Sequence, residues 1–392
     1  MPNGDNWQRD VLRDLRGAAA PSQSAPSVAG GPGAGAGTPL RAAATRPGPE
    51  APTDRTGPPQ GLPPAQLAPG SPSAPAAFAH GRRTRPTPDS RPVIDRALAG
   101  AGRKPRRGES AASSVARAVR RTVSASAARE VAEATRTGEA LQQSVTTGRQ
   151  IAVTSIRGGA GKSTVAALLG TTYAHYRQDP VLLVEADPAL GTLPLRLGAE
   201  SLRWTTGDLA DIVEPQMSLL DVTGYLVQLP GNAWLLPGSQ GQIGAMLDTR
   251  AYERVLVALR RYFAVTVVDC ETLPAEVARV ALSAAQARVL TSPATLEGVN
   301  STRVVLQWMQ GLAPHVIAGT VVVLTEQTPH SGVDLDTATH ELGSTGARVH
   351  VLPYDRHLAA GGAIRTELLA PPTGQAVTRI AADAFQLSLK RH

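Results

Sequence analysis

An apolar, β-branched run, Ile151-Ala-Val-Thr-Ser-Ile156, ends abruptly in Arg157-Gly-Gly-Ala-Gly-Lys162-Ser-Thr164, and an alanine- and leucine-rich stretch follows. Strand, glycine loop and helix in that order leave few folds open. Glycines let backbone N–H groups curl around an anion without obstruction by Cβ, and a helix N-terminus adds partial positive charge. Gly158, Gly159, Ala160 and Gly161 supply such a cradle, and Thr164 lies in the first turn of the helix. Lys162 is placed to reach the β- and γ-phosphates of a nucleotide, and the Ser163 hydroxyl to ligate Mg²⁺. The strict G-x-x-x-x-G-K-[ST] spacing is not met, because Ile156 stands at its first glycine.

Further along, short β-branched runs alternate with amphipathic stretches. The runs at 151–156, 181–185, 265–269, 287–291, 319–324 and 348–352 read as strands, with helices between them, for instance at 162–177 and 295–311. Strands separated by helices imply an α/β fold with a mostly parallel, doubly wound sheet covered on both faces. Ligands bind such sheets beyond the carboxyl ends of the strands, where the glycine loop lies. Asp269 ends the apolar run Val265-Thr-Val-Val, and an acid there is costly without a cation. Mg²⁺ provides one, so Asp269 reads as the second metal-holding residue, acting through water.

Composition divides the chain. Residues 1–150 contain 19 of the 32 prolines, only Trp7 and Phe78 as aromatics, and 21 basic against 11 acidic groups. The remainder has 18 basic and 21 acidic groups, so the basic excess belongs to the N-terminal stretch. A Pro/Ala/Gly-rich segment with few large apolar residues buries too little surface to offset its chain entropy. Residues 1–109 are therefore expected to be a disordered basic tail. A short amphipathic helix over 5–16 within it reads either as a frayed terminus or as a docking peptide. Proline vanishes over 110–147, and Val115, Val119 and Val123 recur beside Arg117, Arg120 and Arg121. This stretch is expected to be a basic helical linker, marginal unless it docks. The domain proper is expected over 149–392. Cys270 is the only cysteine, which excludes an intrachain disulfide. No secretory signal and no membrane span are read, so a cytoplasmic location is the expectation.

The double glycine preceded by a cation resembles the deviant phosphate loop, K-G-G-x-G-K-[ST], of the ParA/MinD ATPases. The resemblance covers about 149–392. It implies an ATP-sandwich homodimer in which the cation, here Arg157, crosses the interface to the partner's nucleotide. Glu185-Ala-Asp187-Pro-Ala-Leu-Gly191 is similar to the family's D-x-D-P-x-x-G switch, which implies that Asp187 orients the attacking water. Glu185 replaces the first aspartate. The glycine of the family's D-x-P-P-G is missing after Asp269, where this chain reads Cys-Glu-Thr-Leu-Pro. Thr325 stands where the family often has an adenine-reading asparagine. Tyr354, in Val351-Leu-Pro-Tyr-Asp355, is placed either to stack near adenine or to fill the core.

The resemblance implies an ATP-binding and ATP-hydrolysing dimerisation switch, with Asp187, Lys162 and Arg157 as catalytic residues, that positions or assembles a partner complex. The basic tail ahead of such a domain resembles the actinobacterial type VII (ESX) secretion-associated, EspI-like ATPases, with protein partners reached through the tail. Chromosome or plasmid partitioning, the tail binding DNA non-specifically, is one alternative. A non-hydrolysing nucleotide-binding scaffold is the other. One cysteine is too few for a nitrogenase-reductase-like cluster, and the ending Leu-Ser-Leu-Lys-Arg-His is not the tyrosine-rich tail of a bacterial autokinase. Ala376, Ile380, Ala384 and Leu387 read as a last core-facing helix in preference to a membrane-binding one.

Overall fold

A computed structural model describes residues 86–98, 101, 105–110, 127–189, 191–242 and 244–390. The expected helices at 5–16 and around Val115, Val119 and Val123 lie outside the described residues. In chain order the strands are β1 (Arg91–Pro92), β2 (Arg149–Ser155), β3 (Val181–Ala186), β4 (Ser201–Leu202) and β5 (Val227–Gln228). β6 (Ala233–Leu236), β7 (Val265–Cys270), β8 (Ala287–Pro293), β9 (Thr320–Thr325) and β10 (Arg348–Leu352) follow. The helices that matter below are α1 (Ala127–Gln142), α2 (Lys162–Tyr176), α3 (Leu193–Arg196), α4 (Thr249–Leu259), α5 (Leu296–Gln310) and α6 (Pro371–Leu389).

Among the described residues, eight strands form one sheet in the order β10-β9-β8-β2-β7-β3-β6-β5. Neighbours run parallel, except that the edge strand β5 is antiparallel to β6. The chain winds outward from β2 in both directions, which makes the end of β2 the switch point where such sheets bind ligands. Strands covered on both faces need not alternate in polarity, and every residue of β3, β7 and β9 is buried. Ile151 and Val153 join the core beneath α2 and α6, while Ala152 joins the one beneath α4. Ala376, Ile380, Ala384 and Leu387 of α6 are all buried, as a core-facing helix requires. No helix among the described residues is long and apolar enough to cross a membrane.

The helical stretch before the sheet does dock. Leu141 of α1 is fully buried, and the Arg177 side chain fastens the end of that helix. Its Nη1 donates to the carbonyls of Leu141 (2.7 Å) and Gln143 (2.8 Å). Its Nη2 pairs with Asp179 at 2.7 Å, and its guanidinium lies 4.7 Å from the Phe385 ring centre. With three glutamates and two arginines, α1 is not basic; Arg117, Arg120 and Arg121 of the expected linker lie outside the described residues. Arg177→Ala leaves the buried Leu141 carbonyl and the partly buried Gln143 carbonyl without this donor. We expect a loss of about 3 kcal/mol, measured by chemical denaturation.

Two pieces of the expected tail also join the domain. β1 pairs antiparallel with β4, and the Val93 amide donates to the Glu200 carbonyl at 3.0 Å. Gly108 is buried, its amide donating to the Leu368 carbonyl at 2.7 Å. The expectation of disorder throughout 1–109 therefore does not hold for these pieces. Composition averages over a long segment and is blind to a two-residue strand or a single glycine that fits a tight site.

Candidate nucleotide-binding site

The loop from Ile156 to Lys162 turns back on itself through Gly159 (φ 76°) and Gly161 (φ 82°), both in the left-handed region that glycine enters without strain. Three side chains brace it. Ser155 Oγ donates to the Arg157 carbonyl at 2.7 Å, Thr325 Oγ1 to the Ala160 carbonyl at 3.2 Å, and Gln327 Nε2 to the Gly159 carbonyl. α2 starts at Lys162 without a side-chain cap, so its first amides are left for another acceptor. Lys162, Ser163 and Thr164 thus open the helix beside the loop, as the sequence predicts.

Register decides what faces that loop. Asp269 on β7 is paired with Val153 of β2 on one side and with Glu185 of β3 on the other. Two carboxylates therefore sit side by side at the exits of adjacent buried strands. Asp269 is fully buried, and neither of its carboxylate oxygens has a well-formed hydrogen bond. Burial pushes its pKa up to about 7, the Asp187 charge adds to this, and the Ser163 hydroxyl and Lys162 oppose it. The serine is thus close enough to be felt without satisfying the carboxylate. Glu185 is pushed up to about 8, chiefly by burial and also by Asp269 and Asp187. The Gly238 amide, donating to Glu185 Oε2 at 3.2 Å, works against that rise. Glu271 is raised as well, by burial and by Asp187, with Lys162 in opposition.

Asp269 and Glu271 thus share Lys162 as their nearby cation, with Glu185 and Asp187 adding negative charge beside Asp269, and the Lys162 Nζ donates to Thr272 Oγ1 at 3.1 Å. An orphaned buried carboxylate, a serine hydroxyl and surplus negative charge are what a hard divalent cation offsets. Among the described residues no three His, Cys, Asp or Glu side chains form a complete metal cage. That suits Mg²⁺, which keeps several waters and shares its remaining positions with phosphate oxygens. Ser163 and Asp269 fit the ion in that way.

The raised values carry a stability consequence. A carboxyl whose folded pKa exceeds its unfolded one is stabilising to keep protonated. That contribution is complete below about pH 4 and is lost as pH rises through about 7 for Asp269 and 8 for Glu185. Metal- and nucleotide-free protein should melt on the order of 10 °C lower at pH 8 than at pH 5. Thermal melts in a chelator check this, and Asp269→Asn should reduce the difference.

Beside the loop lies a cavity of about 270 Å³, bounded by Gly159, Gly161, Thr164, Arg196, Thr325, Glu326, Gln327 and residues of 352–359. Thr325 is among them, but its hydroxyl is spent on the Ala160 and Ser292 carbonyls. It props the phosphate loop. Tyr354 does not line the cavity, although its neighbours Pro353 and Asp355 do. Arg196 of α3 forms another wall, its Nη1 donating to the Leu358 carbonyl at 3.3 Å. Arg157 is exposed and stands apart, its Nε donating to Ser301 Oγ on α5 at 3.0 Å. Asp187, half-buried where β3 exits, is close enough for its charge to raise Glu185, Asp269 and Glu271. Thr272, Arg196 and Gln327 were not singled out from sequence. Each meets the site through a partner more than a hundred residues away, and no local spacing marks them.

Residues 151–306 match the CobQ/CobB/MinD/ParA nucleotide binding domain. The ESX-1 secretion-associated protein EspI of Mycobacterium tuberculosis is 29% identical over 254 residues, which cover 62% of this chain. The match spans only 37% of EspI's own length. An uncharacterized ATP-binding protein of Methanocaldococcus jannaschii is 23% identical over 237 residues, covering 59% of this chain and 86% of that protein. Among solved structures, the cell division ATPase MinD of Pyrococcus furiosus aligns with a TM-score of 0.48 and 21% identity, covering 61% of this chain and 99% of that one.

Proposed function

From the membership of residues 151–306 in the CobQ/CobB/MinD/ParA nucleotide-binding family, we propose that this chain is an ATP-dependent switch that binds ATP with Mg²⁺, dimerises around it and hydrolyses it. The observation that carries this reading is the fully buried, unpartnered Asp269 carboxylate beside Ser163 and Lys162. A structural ion pair would satisfy that carboxylate within the fold, whereas a nucleotide switch leaves it waiting for a ligand.

The loop amides at 158–164 bind the phosphate oxygens, and Lys162 leaves Thr272 for the β- and γ-phosphates. When bound, Mg²⁺ supplies positive charge that offsets the charge developing on the transferred phosphoryl group. Asp187 accepts a hydrogen bond from the attacking water and holds it in line, since positioning accounts for much of phosphoryl transfer. Arg157 acts on the second protomer's nucleotide, which accounts for an exposed cation on the loop's outer side. The similarity to EspI supports a role in assembling or positioning a type VII secretion complex through the N-terminal tail.

One observation favours a non-hydrolysing scaffold instead. Thr272 engages Lys162 in the stretch after Asp269 where the ParA/MinD pattern carries a glycine. Calorimetry with ATP, in Mg²⁺ and in chelator, tests the metal part of the proposal. Wild-type protein should bind about tenfold or more tightly with Mg²⁺, and Asp269→Asn should lose most of that gain. Equal affinity in both media, with no turnover, leaves the scaffold and removes the switch.

A further inference from the structure

The loop 237–241 touches both the switch segment and the N-terminal extension. On the switch side, the Gly238 amide donates to Glu185, and Ser239 Oγ donates to the Pro188 carbonyl at 2.5 Å. On the other side, Gln240 Nε2 donates to the carbonyls of Asp89 (3.0 Å) and Arg203 (2.6 Å). Asp89 leads into β1, and Arg203 directly follows β4, its partner strand. One side chain therefore bridges the extension to a loop that grips the switch.

The second attachment is at the cavity beside the phosphate loop. The Gly108 carbonyl accepts from the Arg356 amide at 2.9 Å, while its own amide reaches Leu368. A Cβ at this position would stand 2.3 Å from Asp355 Oδ2 and 2.5 Å from the Ala370 amide, so only glycine fits. Asp355 is a wall of that cavity, and its carboxylate is held by the amides of His357, Leu358 and Ala370. The backbone carbonyl of Arg196, another wall, accepts from the Ile364 amide at 2.8 Å, and Arg196 lies four residues before Glu200, whose carbonyl accepts from the Val93 amide. Both attachments thus rest on segments that border the candidate site.

We propose that residues 87–98 and 105–110 form a strap whose attachment is linked to nucleotide occupancy, bound nucleotide tightening the strap and the strap tightening nucleotide binding. This rests on the nucleotide reading above. A ligand that orders the framing loops spares the strap the entropy of ordering them, and linkage makes the effect reciprocal. The strap is the route by which the state of the site reaches the rest of the tail.

Hydrogen–deuterium exchange on the full chain, with and without ATP and Mg²⁺, tests this. Peptides containing Val93 and Gly108 should exchange about tenfold more slowly when ATP is bound. Gln240→Ala and Gly108→Val should each weaken ATP binding by roughly three- to tenfold. Gln240→Ala decides alone if the valine variant does not fold. Peptides spanning 158–164 report occupancy in the same experiment. Protection there with unchanged exchange at Val93 and Gly108 overturns the strap and leaves the nucleotide reading intact. No protection anywhere removes both. Slowing of the strap by ATP in Lys162→Ala while 158–164 stays unprotected also overturns it.

Discussion

Lys162→Ala should weaken ATP binding by roughly 10²–10³-fold, the equivalent of about 3–4 kcal/mol. Charge-assisted hydrogen bonds to phosphate are among the strongest a side chain makes. Here the substitution acts twice. It removes the cation proposed to reach the β- and γ-phosphates, and it leaves Asp269 and Glu271 with less compensation toward an incoming anion. The fold should survive, because Lys162 gives up only one hydrogen bond, to Thr272. Circular dichroism melts separate that from unfolding, and calorimetry reads the affinity. A folded variant that still binds ATP at micromolar concentration would falsify the role given to this loop.

The parts of this site that were legible in the sequence are those fixed by chain-local chemistry. The glycines of the loop, Lys162 and Ser163 are contiguous, and Asp269 ends an apolar strand whose burial is evident from Val265, Val267 and Val268. The six strands read from the sequence form within one or two residues of their expected bounds. β6 was missed because Ala233-Trp-Leu-Leu is only four residues long between Asn232 and Pro237. The docking of α1 was not legible either, since it depends on Arg177 and on Phe385 of α6, both distant in sequence. Register was equally hidden. Nothing local announces that Glu185 and Asp269 become neighbours across β3 and β7, yet that pairing sets the electrostatics of the site. The substitution of glutamate for aspartate at 185 gains meaning only there, because the longer side chain reaches the Gly238 amide.

Separating a switch from a scaffold calls for a variant that binds and does not turn over. Asp187→Ala should bind ATP with near wild-type affinity, because Asp187 is assigned to the water and not to the phosphates. Removing one of the carboxylates that repel the nucleotide also works in favour of binding. Hydrolysis should slow by about a hundredfold, the lower range for loss of a positioned catalytic carboxylate. With hydrolysis blocked, the ATP state accumulates, and sedimentation with ATP and Mg²⁺ should show a dimer. Adding Arg157→Ala should return that protein to monomer while ATP binding changes by no more than about threefold. The geometry supports this division. Arg157 is exposed, makes no ion pair with any described residue, and is held only by Ser301 on α5. A cation so placed does little for its own protomer and is free to meet a second one. A monomer in every condition, with wild-type turnover no faster than that of Asp187→Ala, would leave a nucleotide-binding scaffold and take away the switch.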